Sequence, residues 1–285
     1  MTKTITLFTT VSLFIAHLLP VDGVGQEEVV SPKAAVPRIT VLEDDWGGAP
    51  PSNIRAICLS VAQELSEFFP QRTFAPIVIS RSQKSPITLY AKTNDGQRQV
   101  KLNVSGQYWA QFSYQFGHEF GHILCNYRSA KNPQLWFEES LCEAASIFAL
   151  QQMSKSWRER PPYSNWKDYA PALAKYAENY RRDTERLGDK SFAEWYAENQ
   201  QRFVEFDREA FKVVAVYALL PLLEKNPQHW EALSGLNQWN PQQELTFEKY
   251  LADWKSRVPD EHQKFVQEVA EAFGVALPTA TTSNQ

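Results

Sequence analysis

Three phenylalanines, Phe112, Phe116 and Phe120, recur every four residues within a stretch of helical periodicity. Residues four apart lie on one face of a helix, so this helix should place an aromatic face in a hydrophobic core. Gly117 and Gly121 lie in the same stretch, although glycine weakens a helix. Because they lack side chains, they would let a second element approach the helix closely. We therefore expect a buried central helix with a close neighbour.

Strand patterns precede this helix and helical patterns follow it. Residues 75–80, 87–92 and 99–104 are rich in β-branched residues or alternate apolar with polar residues, and the Asn-Asp-Gly sequence at 94–96 predicts a hairpin turn. From residue 132 onwards the pattern is almost entirely helical. The sequence thus predicts an α+β protein. A small N-terminal mixed α/β lobe with an antiparallel sheet would lead into the central helix, and an all-helical C-terminal lobe would follow.

The composition of the chain limits the kind of protein it can be and the partners it can bind. Of 285 residues 43% are hydrophobic, which is enough for a sizeable core, and the net charge is -4. Charged residues of both signs are mixed along the chain, so there is no electrostatic basis for binding nucleic acid. We find no polybasic run of the kind that binds a membrane surface. We expect no nucleic-acid partner.

The first residues are typical of a secretory signal peptide. Lys3 supplies the positive charge, residues 5–19 are mostly apolar, and Val21 and Gly23 are small residues suited to cleavage. An uncleaved membrane anchor is the alternative interpretation. We expect an exported protein, secreted or periplasmic, with no stable membrane insertion after signal cleavage.

The central helix carries the sequence HEFGH, which comprises His118, Glu119 and His122. The two histidines are four residues apart, so their Cβ atoms should lie about 5–6 Å apart on one face, and both imidazoles could bind one ion. Glu119 lies about 100° around the helix from His118 and could reach a water on that ion. HExxH on a helix is the signature of zinc metalloproteases. The same residues also occur on helices without any chemical role.

The next predicted helix offers further ligands in Glu138, Glu139 and Glu143. If the two helices pack as an antiparallel hairpin, the register that places Glu139 opposite His122 also places Glu143 opposite His118. A third ligand, together with a carboxylate that holds a ligand histidine, is what a catalytic zinc site requires. The hairpin therefore predicts a complete site.

The chain has three cysteines, Cys58, Cys125 and Cys142. An odd number in an exported chain leaves at least one thiol free. In the hairpin register just described, Cys125 and Cys142 are offset by about 9 Å along the helix axis, too far for a disulfide. We expect buried thiols that do not bind a metal.

The sequence HEFGH followed by WFEESLCEAAS resembles the gluzincin branch of the zincin metallopeptidases, in the peptidase MA-like superfamily. In that branch HExxH is followed on the next helix by a segment similar to W-L-x-E-G-x-A-E. The matching positions here are Trp136, Phe137, Glu139, Leu141 and Glu143. Two positions depart from the pattern, since Ser140 replaces a glycine and Cys142 replaces a small residue, but neither is a ligand. The resemblance covers residues 116–146 and implies a zincin-like fold.

The resemblance also implies roles for these side chains. His118, His122 and Glu139 would bind one zinc ion per chain, and Glu119 would be the catalytic base. Glu143 would be the outer partner that holds His118.

Further roles implied by the resemblance concern the substrate. In such enzymes the strand before the metal helix is a sheet edge that pairs with an extended polypeptide substrate. Lys101, Leu102, Asn103 and Val104 would form that edge. A downstream tyrosine or histidine commonly stabilises the oxyanion. Tyr217 is our candidate and His229 the second, although Tyr217 also suits an ordinary place in the core.

These patterns divide the chain into five segments: a signal peptide at 1–23, an irregular lead-in at 24–50, a zincin catalytic core with the metal helix and the glutamate helix at 51–153, a helical C-terminal lobe at 154–275 and a disordered tail at 276–285. The expected function is that of an exported zinc-dependent metallopeptidase, which hydrolyses peptide bonds by a zinc-activated water with Glu119 as general base. The alternative is a zinc-containing binding or interaction module of zincin fold without turnover. A helical protein with no metal is a third possibility. An intact Glu119 favours the enzyme, since a purely structural metal site has no need of a base.

Overall fold

A four-stranded mixed sheet forms the N-terminal part of the protein. The computed structural model describes residues 35–242 and 245–277. The strands are β1 (Ile39–Val41), β2 (Ile77–Arg81), β3 (Ile87–Leu89) and β4 (Arg98–Leu102), and their order across the sheet is β1-β2-β4-β3. The α+β class is therefore confirmed.

The direction of the strands differs from the prediction of an antiparallel sheet. β2 pairs parallel with both β1 and β4, and among the described strands only β3 and β4 pair antiparallel. The helix α1 (Pro51–Ser66) connects β1 to β2. A crossover of this kind returns the chain in the same direction and so produces a parallel pair. The hairpin signal at residues 94–96 correctly predicted the one antiparallel pair, but it carried no information about the other strands.

Two long helices, α2 (Trp109–Leu124) and α3 (Leu135–Ser156), form the predicted antiparallel hairpin. A Cβ atom added at Gly117 would lie 2.9 Å from the Cα of Ser146, and one added at Gly121 would lie 2.9 Å from the Cα of Cys142. Real Cβ atoms do not come so close to backbone, so both glycines are needed for this approach. The three phenylalanines of the aromatic face are completely buried, as predicted.

Helices continue to the end of the described chain. They are α4 (Ala170–Asp183), α5 (Phe192–Glu198), α6 (Gln200–Val204), α7 (Arg208–Val214), α8 (Leu220–Lys225), α9 (Phe247–Arg257) and α10 (Asp260–Ala272), with 3₁₀ helices at Ser164–Tyr169 and Pro227–Gly235 and a π-helical turn at Ala215–Leu219. The ring of Trp136, at the start of α3, lies 4.4 Å from that of Phe203 and 4.8 Å from that of Phe247, centroid to centroid. Aromatic packing therefore fixes the start of α3, which carries the candidate glutamates, against the C-terminal helices.

The structure describes parts of four of the five predicted segments. All described residues fall within one compact unit. The lead-in at 24–50 contributes β1 and the buried Trp46, and α3 continues three residues past the boundary at 153. The predicted signal peptide lies outside the described residues. Of the predicted tail, residues 276 and 277 are described and Leu277 is buried, while 278–285 lie outside.

Two further findings concern cysteines and membranes. Cys58, Cys125 and Cys142 are all free and buried, which confirms the prediction of unpaired thiols. Among the helices of residues 35–242 and 245–277, none combines the length and the apolar character that a membrane span requires.

Candidate metal centre

A cavity of about 300 Å³ opens where α2, α3 and strand β3 meet. Its walls contain all of the residues that the HEFGH sequence and the glutamate helix contribute to the predicted site: His118, Glu119, His122, Glu138, Glu139 and Glu143. The hairpin brings them together because the glycines of α2 let α3 approach closely. The central inference from the sequence, that these two helices build one site, agrees with this arrangement.

The carboxylate of Glu139 lies between the two histidines. Its Oε2 is 3.2 Å from Nε2 of His118, and its Oε1 is 3.7 Å from Nε2 of His122. Ligand atoms bound tetrahedrally at about 2.0–2.2 Å from a zinc ion lie about 3.3–3.6 Å apart. Each imidazole therefore faces a different oxygen of Glu139 at about the separation of two ligands of one zinc ion.

The opposite nitrogen of each imidazole faces a second carboxylate. Nδ1 of His122 lies 2.6 Å from Oε1 of Glu138, and Nδ1 of His118 lies 3.8 Å from Oε1 of Glu143. A carboxylate hydrogen-bonded to Nδ1, as Glu138 is to His122, keeps the proton on that nitrogen and leaves the Nε2 lone pair free for a metal. Glu143 faces Nδ1 of His118 from beyond hydrogen-bond distance. Glu138 was a candidate ligand in the sequence, but its position beside Nδ1 gives it the outer role at His122.

Neutral donors hold these two outer carboxylates. The Nδ2 of Asn237 donates to Oε2 of Glu138 at 2.6 Å and to the carbonyl of Cys125 at 2.9 Å. The hydroxyl of Tyr250 in turn donates to Oδ1 of Asn237 at 3.1 Å. Asn237 is buried and has a φ of 59°, a left-handed conformation that asparagine tolerates better than most residues.

Glu143 is held in a similar way. Its Oε2 accepts hydrogen bonds from the hydroxyls of Tyr114 on α2 and Tyr180 on α4, the second at 2.8 Å. Neither tyrosine nor Asn237 was predicted, because each meets its carboxylate through tertiary packing. Asn237 is 99 residues from Glu138 along the chain, and no local pattern signals such a contact.

Glu119 is buried beside the cavity and is held from the sheet. The hydroxyl of Thr88 on β3 lies 2.8 Å from Oε2 of Glu119 and 2.9 Å from its main-chain carbonyl oxygen. Among the described residues, Oε1 of Glu119 has no hydrogen-bond partner. One oxygen is therefore fixed, and the other remains for a water or substrate in the cavity.

The carboxylates strongly favour protonated histidines in the metal-free site. Burial lowers the pKa of His122, but the hydrogen bond and charge of Glu138 outweigh it and raise that pKa to about 10. The pKa of His118 is likewise raised, because Glu139 and Glu143 outweigh its burial. Burial raises the pKa of Glu139, but the two histidines outweigh it and lower that pKa to about 2. A metal ion must therefore displace protons to bind.

Cys142 offers a competing ligand set. One ligand atom each of His118, His122 and Cys142 lie within 4.8 Å of one another. The thiol, however, is completely buried beneath Gly121 and is not part of the cavity wall. An ion held through its sulfur would be closed to water, whereas an ion held by Glu139 faces the cavity. The set with Glu139 is the one that leaves room for a substrate.

Strand β4 is not the sheet edge that the sequence predicted. Lys101 and Leu102 lie in β4, which pairs with β2 on one side and β3 on the other, and Asn103 and Val104 follow it. Among the described strands, the edge beside the cavity is β3. The expectation was taken from the family resemblance, whereas in this sheet β4 lies between β2 and β3.

The candidate oxyanion residues also lie elsewhere. Tyr217 belongs to the π-helical turn at Ala215–Leu219 and packs against the hydrophobic core, and His229 contacts His262. Neither belongs to the cavity wall, so the structure does not support either role. The tyrosines of that wall are Tyr90, Tyr114 and Tyr127.

Comparison of the chain with protein-family models, with curated proteins and with solved structures finds no match. The functional assignment therefore depends on the residues and geometry of the cavity.

Proposed function

We propose that the protein is an exported zinc-dependent metallopeptidase of zincin-like fold, which hydrolyses peptide bonds of a polypeptide substrate. The observation that carries the proposal is the position of the Glu139 carboxylate between the Nε2 atoms of His118 and His122, with Glu119 in the same cavity wall. Two imidazoles and one carboxylate are a ligand set of known zinc peptidases. His118, His122 and Glu139 would hold the ion.

Zinc bound there would supply a Lewis acid that acidifies water and polarises a carbonyl group. Glu119 would accept a proton from the attacking water through Oε1 and later pass it to the nitrogen of the leaving amine. Thr88 supports this role because it fixes the other oxygen of the same carboxylate. The hydrolysis consumes one water and produces a free carboxyl group and a free amine.

An extended polypeptide could pair with strand β3. One side of β3 pairs with β4, and Ile87 and Thr88 form part of the cavity wall. Edge strands bind extended peptides through main-chain hydrogen bonds. β3 would therefore align a peptide across the cavity, which is the role that the family resemblance implied for residues 101–104.

The proposal is tested by zinc content and turnover together. The parent protein should contain zinc and cleave an unstructured protein such as casein. Glu119→Gln should retain the zinc but lose about 10²- to 10⁴-fold in rate, because it removes only the base. Glu139→Ala should lose the zinc ion of the cavity together with the activity.

Three results have a clear meaning. Full activity in Glu119→Gln would refute the mechanism. Zinc binding that depends on Glu139, without turnover of any peptide substrate, would favour the binding module. A parent protein that takes up no zinc would end the metal hypothesis altogether.

A further inference from the structure

A second group of metal-binding side chains lies outside the cavity, between the 3₁₀ helix Pro227–Gly235 and helix α10. It comprises Glu231 from the first element and Glu261 and His262 from the second. One ligand atom from each of these residues lies within 4.8 Å of the other two. Three potential ligands from two elements therefore lie close enough to share one ion.

His262 has an unexplained buried nitrogen. Its side chain is almost completely buried, and its Nε2 has no hydrogen-bond partner among the described residues. Oε2 of Glu231 lies 3.6 Å from this nitrogen, which is too long for a hydrogen bond. A buried polar atom without a partner is costly, and an ion at that position would satisfy it. The distance of 3.6 Å also matches the separation of two ligands about 2.2 Å from one metal ion.

His229 fixes the other side of the His262 ring. The two Nδ1 atoms are 3.2 Å apart, and the His229 ring stacks on Phe265 with a centroid distance of 4.8 Å. Histidine ligands of metals commonly have such a hydrogen-bonded partner on the second nitrogen.

The positions of the protons on His229 and His262 decide whether His262 can bind a metal. Nε2 of His262 offers a lone pair only if Nδ1 of His262 carries the proton and donates it to His229. Nε2 of His229 then carries a proton of its own, which needs an acceptor in Asn226. The exposed Asn226 amide lies 3.0 Å away and can present its oxygen after a 180° turn.

We propose that Glu231, Glu261 and His262 form a second divalent-cation site, suited to zinc, that links the 3₁₀ helix Pro227–Gly235 to α10. One imidazole and two carboxylates are ligands that zinc accepts. This site is independent of the peptidase proposal, since it shares no residue with the cavity. Its role is structural, because it adds metal bonds between two elements that also meet through side-chain packing and the contact of His229 with His262.

The test measures zinc per chain after equilibration with zinc and gel filtration. It uses the full mature protein in the parent form and with Glu139→Ala, which disables the candidate catalytic site. The parent should hold two ions and Glu139→Ala one. Adding Glu231→Gln and Glu261→Gln to Glu139→Ala should remove the remaining ion. Both glutamates are at least partly exposed, so these changes should leave the fold intact, which circular dichroism checks.

A matched control is Glu271→Gln, an exposed glutamate further along α10, which should leave the zinc content unchanged. His262→Asn in the Glu139→Ala background should also lose the ion. Retention of the ion in the Glu231→Gln, Glu261→Gln variant would overturn the proposal, and so would a Glu139→Ala protein that holds no zinc. If the parent and Glu139→Ala each hold one ion that depends on Glu231 and Glu261, the second site stands and the peptidase proposal fails.

Discussion

The close approach of α2 and α3 predicts a measurable effect of Gly121→Ala. The new Cβ would lie 2.9 Å from the Cα of Cys142 and 3.0 Å from its sulfur. Carbon atoms in contact are about 3.5–4.0 Å apart, so the two helices would have to separate by about 0.6–1 Å. The nearest atom is backbone, so it cannot rotate away.

The magnitude follows from two opposing contributions. Overpacking of a core typically costs about 1–3 kcal/mol, and a backbone clash belongs in the upper part of that range. Alanine favours a helix over glycine by about 1 kcal/mol. We therefore expect Gly121→Ala to lower the free energy of unfolding by about 1–2 kcal/mol. Gly117→Ala should lower the free energy of unfolding by a similar amount, since its new Cβ would lie 2.9 Å from the Cα of Ser146.

Denaturation by urea, with the metal-free protein, measures this change as a lower midpoint at an unchanged slope. Gln111→Ala is the control, since Gln111 lies on an exposed part of the same helix and should alter stability little. A separation of the helices also moves Glu139 away from the histidines. Metal sites tolerate ligand shifts of only about 0.2 Å, so zinc affinity should fall as well. A Gly121→Ala protein as stable as the parent would refute the proposed helix contact.

Two further predictions concern the outer parts of the site. Glu138→Gln should weaken zinc binding about 10- to 100-fold in a chelator competition, because Glu138 orients His122 through Nδ1; an unchanged affinity would contradict that role. Thr88→Val should keep the zinc content but lower kcat/KM about 10-fold and shift the pH profile of the reaction, because Glu119 loses a hydrogen bond to Oε2. If the rate and the pH profile both stay as in the parent, Thr88 does not position the base.

The candidate site could be predicted in large part because its signals are local. The spacing of His118 and His122, and of Glu139 and Glu143, fixes which residues share a helix face. One assumption, the antiparallel hairpin, then brings both faces together. The glycines of α2 add independent support, since they indicate where the second helix lies.

The rest of the site depends on contacts that no local pattern encodes. Asn237 reaches Glu138 from another part of the chain, and its role follows only from the packing of the C-terminal segment. The same limit applies to the sheet. The hairpin of β3 and β4 was predictable from its turn, but the position of β2 beside β4 decides which strand is the edge, and that is a non-local choice.

The charge of the cavity predicts that the protein folds both with and without a bound ion. Two protonated histidines, His118 and His122, carry the same charge as one divalent cation, so a zinc ion that binds here would exchange for two protons at constant net charge beside the buried glutamates. The metal-free protein should therefore remain folded at pH 6, where both imidazoles are protonated. Because the pKa of His122 is raised in the folded protein, protonation of His122 stabilises the fold fully below pH 6.5, the ordinary pKa of histidine. This stabilisation is lost as the pH rises to about 10. The difference in melting temperature between zinc-loaded and metal-free protein should thus widen between pH 6 and pH 10. A constant difference in melting temperature over that range would show that the protons on the histidines do not offset the negative charge of the buried glutamates.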